Sequence, residues 1–199
     1  MNTRLKLEHW FHRQMAVWCL LLKRDADAIS HWERVRGLDP GNAKIVASIA
    51  HTKAALGHRE EALALFRQSL DLNPAQPGNW FNLGYLLEDM GESEEAAVAF
   101  RRAIDLDARL DRAWYGLALA LIKCGKVEEA VAALKRNTEL QPMSPYGWYQ
   151  LAHAYLRLGQ QEKAESVIHR LARFEPKVAL QLEQETGIKA GVNLPTGRF

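Results

Sequence analysis

Residues 79–100 read NWFNLGYLLEDMGESEEAAVAF. Apolar positions recur here at helical spacing on both sides of Gly91, as two short helices joined by a tight turn would require. The stretch decides the fold because it is repeated. Trp80, Trp114 and Trp148 stand 34 residues apart, and Gly57, Gly91, Gly125 and Gly159 keep the same step. So do Ala28, Ala62, Ala96, Ala130 and Ala164. Pro40, Pro74, Pro142 and Pro176 follow it too, with Ala108 in the remaining place. A fixed period of this length means stacked copies of one supersecondary unit, not a single core built around a pocket.

Working outward, the period divides residues 9–178 into five units without a gap: 9–42, 43–76, 77–110, 111–144 and 145–178. In the third, a first helix is expected over residues 77–90 and a second over 93–106. Gly91 supplies the left-handed turn residue between them. The alanines are small where the two helices of a unit meet. Trp32, Phe66, Phe100, Leu134 and Ile168 fill the space beside them. Helices of about 14 residues are marginal alone, so stacking must supply their stability.

The motif W-x2-L-G-x2-L followed by A-x3-F, carried by Trp80, Leu83, Gly84, Leu87, Ala96 and Phe100, resembles the tetratricopeptide repeat. The resemblance covers residues 9–178. It is weakest in the first unit, where His12 and Lys23 replace the tryptophan and the turn glycine. The pentatricopeptide family, which reads RNA, has a 35-residue period and lacks the tryptophan–glycine pattern. The resemblance implies an all-α, right-handed α-solenoid whose first helices line a concave groove for a partner peptide or helix. It implies no enzymatic activity and no cofactor.

Carried over residue by residue, that groove takes Lys44, Ala47 and His51 from the second unit, and Phe81, Asn82, Tyr85 and Glu88 from the third. It takes Arg112, Tyr115, Leu119 and Ile122 from the fourth, and Tyr146, Tyr149, His153 and Leu156 from the fifth. Phe81, Tyr115 and Tyr149 each follow a structural tryptophan, so they form an aromatic column extended by Tyr85 and Tyr146. Such a column either anchors a partner or fills gaps between helices. Some members of the family clamp a C-terminal carboxylate. Here Asn82 and Arg112 match that clamp, but Ala47, His51 and Gly116 replace its other donors, so a carboxylate grip of that type is not expected.

Other chemistry finds little support. A net charge of +2 is too mild to imply nucleic acid, despite Lys44, Arg112, Lys123 and Arg157. Cys19 and Cys124 form no CxxC pair, so no zinc site or disulfide framework follows, and a cytoplasmic location is expected. His9 and His12 are one helical turn apart but lack a third ligand, so no metal site is expected. The pairs Glu60–Glu61, Glu94–Glu95 and Glu128–Glu129 recur at the starts of second helices, where negative charge suits the helix dipole. No phosphate loop or nucleophile motif appears.

The ends differ from the repeats. Residues 1–8 are expected as an extension, 179–187 as a short capping helix and 188–199 as an irregular tail. Val192, Leu194 and Phe199 in that tail could enter a groove. The first helix is apolar nearly all round, through Trp10, Phe11, Trp18, Leu21 and their neighbours, which points to burial against something. The apolar run is too short to span a membrane. The chain therefore reads as a protein–protein interaction scaffold, adaptor or assembly chaperone. The alternative is a self-assembling structural protein, a homodimer through its N-terminal repeat. Neither reading names the partner.

Overall fold

The computed structural model describes residues 3–189 and 191; within them the chain forms eleven α-helices and no strand. The helices are α1 (Thr3–Leu21), α2 (Asp25–Leu38), α3 (Ala43–Ala55), α4 (Arg59–Leu72), α5 (Pro77–Asp89) and α6 (Ser93–Leu106), followed by α7 (Asp111–Lys123), α8 (Val127–Leu140), α9 (Pro145–Arg157), α10 (Gln161–Ala172) and α11 (Pro176–Thr186). They belong to two compact bodies, one ending at Leu106 and one beginning at Asp107. In the first body α1 pairs with α2, α3 with α4 and α5 with α6. In the second α7 pairs with α8 and α9 with α10, and α11 packs on α10.

The expected small-residue column is buried in each pair. Ala28, Ala62, Ala96, Ala130 and Ala164 are all fully buried. The large residues assigned beside them are buried too: Phe66 and Phe100 at 1% exposure, Leu134 and Ile168 at 0%. The turn glycines Gly57, Gly91, Gly125 and Gly159 take φ values of 68–87°, which residues with a Cβ enter only at a cost. In the first pair Lys23 holds that conformation, φ 56°. The turn geometry therefore persists where the motif is weakest.

The tryptophan landmarks have a common hydrogen bond. Each indole Nε1 donates to a backbone carbonyl six residues earlier: Trp80 to Pro74 at 2.8 Å, Trp114 to Ala108 at 2.9 Å and Trp148 to Pro142 at 3.0 Å. The acceptor is main chain, which explains why Ala108 serves where the other units carry proline. The bond ties each first helix to the turn that enters it. Another recurrent bond clamps the helix starts. Ser69 Oγ donates to Ala43 O at 2.7 Å, and Asn137 Nδ2, 68 residues on, donates to Asp111 O at 2.9 Å.

The ends depart from the expected boundaries. Residues 3–8 continue α1 as its first turns and do not fold back over it. The C-terminal helix begins at Pro176, earlier than the expected 179, and stops at Gly187, φ 71°. The tail residues Val192, Leu194 and Phe199 lie outside the described residues. No described helix is long and apolar enough to cross a membrane.

One contact between α1 and α2 titrates. His12 Nδ1 and His31 Nδ1 lie 2.8 Å apart, which requires one ring to donate and the other to accept. Burial, then the charges of His31 and Arg34, holds the His12 imidazole below its ordinary range, with Glu8 opposing. A depressed folded-state value means that the unfolded chain binds protons first on acidification. The contribution is therefore whole above about pH 6.5 and is lost as pH falls below it. The midpoint of thermal unfolding is expected to be lower at pH 5.5 than at pH 7.5, with a smaller difference in His12→Phe. An identical pH dependence in the variant would show that this pair is not responsible.

Candidate functional site

The first body carries a cleft of about 270 Å³ between α2, α3 and α5. Trp32 comes from α2, Lys44, Ser48 and His51 from α3, and Asn79 and Asn82 from α5. The spacing explains the convergence. Lys44, Ser48 and His51 are four and three residues apart on one face of α3, and Asn79 and Asn82 are three apart on α5. A relay fixes the helices: Asn79 Nδ2 donates to Ser69 Oγ at 2.9 Å, and Ser69 Oγ donates in turn to Ala43 O at the start of α3. Asn42 caps α3, accepting from Lys44 N at 3.1 Å.

The cleft is rich in donors. Trp32 is 6% exposed, and its indole N–H is buried without a hydrogen-bond partner in the protein. A buried donor left unsatisfied costs on the order of 1–3 kcal/mol. Lys44 and His51 are exposed at the mouth, and Asn82 is half-buried. The structure thus brings together four residues assigned to the groove, Lys44, Ala47, His51 and Asn82, and adds Trp32, Ser48 and Asn79. Trp32 reads as core filler in the sequence, and nothing there signals that its N–H lacks an acceptor. Asn79 was legible, since it stands one turn before Asn82.

The aromatic column has divided roles. Phe81 on α5 lies against Phe100 of its own pair, ring centroids 5.9 Å apart. Tyr85, on the same helix, is 67% exposed. In the second body Tyr115 is half-buried; burial raises its phenol above the usual range, partly offset by a hydrogen bond with Gln150. Leu119 is half-buried, Arg112 is exposed on α7 and Tyr146 is 70% exposed on α9. Tyr149 and His153 meet α11: the Tyr149 hydroxyl donates to Glu185 Oε2 at 2.6 Å, and His153 Nε2 lies 3.2 Å from the same oxygen. Their rings pack edge-on at 4.7 Å. Bonds from Tyr149 and Gln181 hold the Glu185 carboxyl below its usual range. Glu185 lies beyond the repeats, so the motif gave no signal for it.

A larger cavity, about 1020 Å³, is lined by residues such as Met143, Trp148, Glu165, His169 and Arg170. No residue assigned to the groove lines it, and Arg170 lies over the Trp148 ring at 4.5 Å. The candidate site is therefore the donor-lined cleft. Among the described residues no three histidines, cysteines or carboxylates stand where they could hold a metal ion. Cys19 and Cys124 form no disulfide. The acidic pairs sit in the first turns of α4, α6 and α8, and Glu61 accepts from Lys53 at 2.6 Å.

Paired helices on a 34-residue period, with an alanine seam and glycine turns, define an all-α repeat protein. Profiles described as tetratricopeptide repeat match residues 48–111 and 145–177, and one described as TPR repeat matches residues 119–159. The chain belongs to the tetratricopeptide-repeat family. Its fold is similar to that of MamA (TM-score 0.76, 19% identity, 94% of this chain and 98% of the other covered). It also resembles MamA residues 41 to the end from Desulfovibrio magneticus RS-1 (TM-score 0.76, 16% identity, 91% and 98% covered). A third similar structure is YrrB, described as a TPR protein with an unusual peptide-binding site (TM-score 0.75, 18% identity, 87% and 90% covered). Among curated proteins none matches this sequence.

Proposed function

We propose that the chain is a non-catalytic scaffold that holds an extended segment of a partner protein, whose backbone carbonyls are read in the cleft of the first body. The observation that carries this reading is the cleft in which Lys44, His51, Asn79 and Asn82 converge beside Trp32, whose buried indole N–H has no partner in the protein. An extended peptide offers one carbonyl acceptor per residue without needing a particular side chain. The exposed ring of Tyr85, one turn beyond Asn82, provides apolar area at low conformational cost. The peptide-binding site named for YrrB supports the same reading, since its fold is similar. In the second body, Tyr146, with its exposed ring, is the groove residue most open to a partner, whereas Tyr149 and His153 would first have to leave Glu185.

The test is selection of peptides from a random display library on the immobilised protein, followed by anisotropy titration of the selected sequences. Trp32→Phe keeps the ring and removes the N–H; it and Asn82→Ala are each expected to weaken binding about tenfold, the scale of one well-made hydrogen bond. Tyr85→Ala is expected to cost at least as much. Selected peptides that bind all three variants as tightly as wild type would move the site elsewhere.

A further inference from the structure

Apart from Gln14 at its middle, the outward face of α1 is apolar from Leu7 to Leu21. Leu7, Trp10, Phe11, Val17, Trp18 and Leu21 are 41–70% exposed. The opposite face is the packed one, with Ala16 and Cys19 buried and His12 against His31 of α2. A helix apolar on both faces is a helix with two neighbours, and α2 is one of them. Residues 3–8 do not cover the other face, because they are part of α1 itself.

The order of residues on that face is self-complementary. Leu7, Gln14 and Leu21 follow seven-residue steps, the spacing of a helix–helix seam. Reflected about Gln14, Leu7 falls on Leu21, Trp10 on Trp18 and Phe11 on Val17. That is what a two-fold, antiparallel contact requires, since each residue then meets its mirror position on the other copy. Gln14 would lie on the axis opposite its own copy. Its amide has both donors and an acceptor, so two copies can satisfy each other and fix the register. The size fits as well. With Leu22, 63% exposed, the face presents on the order of 900 Å² of apolar side chain, against the roughly 800 Å² per partner of a standard interface.

We infer that α1 is a homodimerisation helix, pairing antiparallel with α1 of a second copy about Gln14. The two copies would then present two donor-lined clefts in one particle.

Sedimentation and cross-linking test this. Wild type at tens of micromolar is expected at twice the 22.5 kDa chain mass. Trp10→Glu with Trp18→Glu is expected at the single-chain mass with unchanged helical circular dichroism, a loss of at least about a hundredfold in dimer affinity. Under mild oxidation Gln14→Cys is expected to form a covalent dimer, measured above the background that Cys19 and Cys124 give in wild type. Leu7→Cys alone is not, but it should couple to Leu21→Cys when the two proteins are mixed. A wild-type monomer at a hundred micromolar would overturn the inference. So would a dimer that survives the double glutamate variant, or Leu7→Cys coupling to itself as readily as Gln14→Cys. Uptake of monomers by phosphatidylglycerol vesicles, with no dimer in solution, would overturn it in favour of a lipid surface.

Discussion

Phe100→Ala is expected to lower the free energy of unfolding by about 3–5 kcal/mol, the cost of removing a large ring from a packed interior. Phe100 is 1% exposed. Its ring fills the space over Gly84, where an added Cβ would lie only 2.9 Å from two ring carbons, so α5 approaches it as closely as a backbone can. On another side lies Phe81, centroid to centroid 5.9 Å. Neither neighbour can close the hole: Gly84 has no side chain to swing in, and Phe81 is held by α5. The cost should therefore fall toward the upper part of the range, whereas Phe100→Leu should recover most of it. Urea unfolding followed by circular dichroism measures both. In a repeat protein the damage is local, so the transition should also broaden, as the α5–α6 pair melts ahead of its neighbours. A loss below about 1 kcal/mol would mean that the pair collapses onto the cavity.

This prediction rests on features that were open to reading in the sequence. The period placed Phe100 beside the alanine seam of its unit, where the two helices meet; that Gly84 lies under its ring is a finding of the structure. The alanine seam, the glycine turns and the helix pairing followed from the same arithmetic. Lys23 shows its strength, since the local residue argued against the left-handed turn and the repeat geometry prevailed. What the period could not supply is anything that breaks it. Tyr149 and His153 were assigned to an open groove from repeat position, yet Glu185 of α11 meets them, and α11 is not a copy of any earlier element. Trp32 was read by volume alone. Whether its N–H finds an acceptor depends on atoms from three helices, which no spacing rule encodes. The outer face of α1 was visible as an apolar excess, but only the exposures separate the half that meets α2 from the half that does not.

Gly147→Ala is expected to cost about 3 kcal/mol, although the change adds a single methyl to a helix and alanine is the better helix former. A Cβ at position 147 would fall on the side-chain oxygen of Asn137, well inside contact distance, and 3.1 Å from Thr138 Cγ2. Asn137 has no room to yield. It is 5% exposed, and its amide nitrogen donates to Asp111 O at 2.9 Å, the bond that ties α8 to the start of α7. Rotating it away would break that bond and leave a buried amide unsatisfied, about 1–3 kcal/mol, on top of the strain of the added methyl. Elsewhere in the repeat the position tolerates a side chain, as Ala113 and Asn79 show, 34 and 68 residues earlier. The difference lies opposite: Asn79 faces Ser69, which accepts its amide at 2.9 Å and is smaller than Asn137. Gly147 and Asn137 are thus one choice made at two positions. The double variant Gly147→Ala/Asn137→Ala should be more stable than Gly147→Ala alone, because removing the amide makes room for the added methyl. If the two costs simply add, the methyl and the amide do not compete for the same space, and the penalty lies in the backbone of α9 instead.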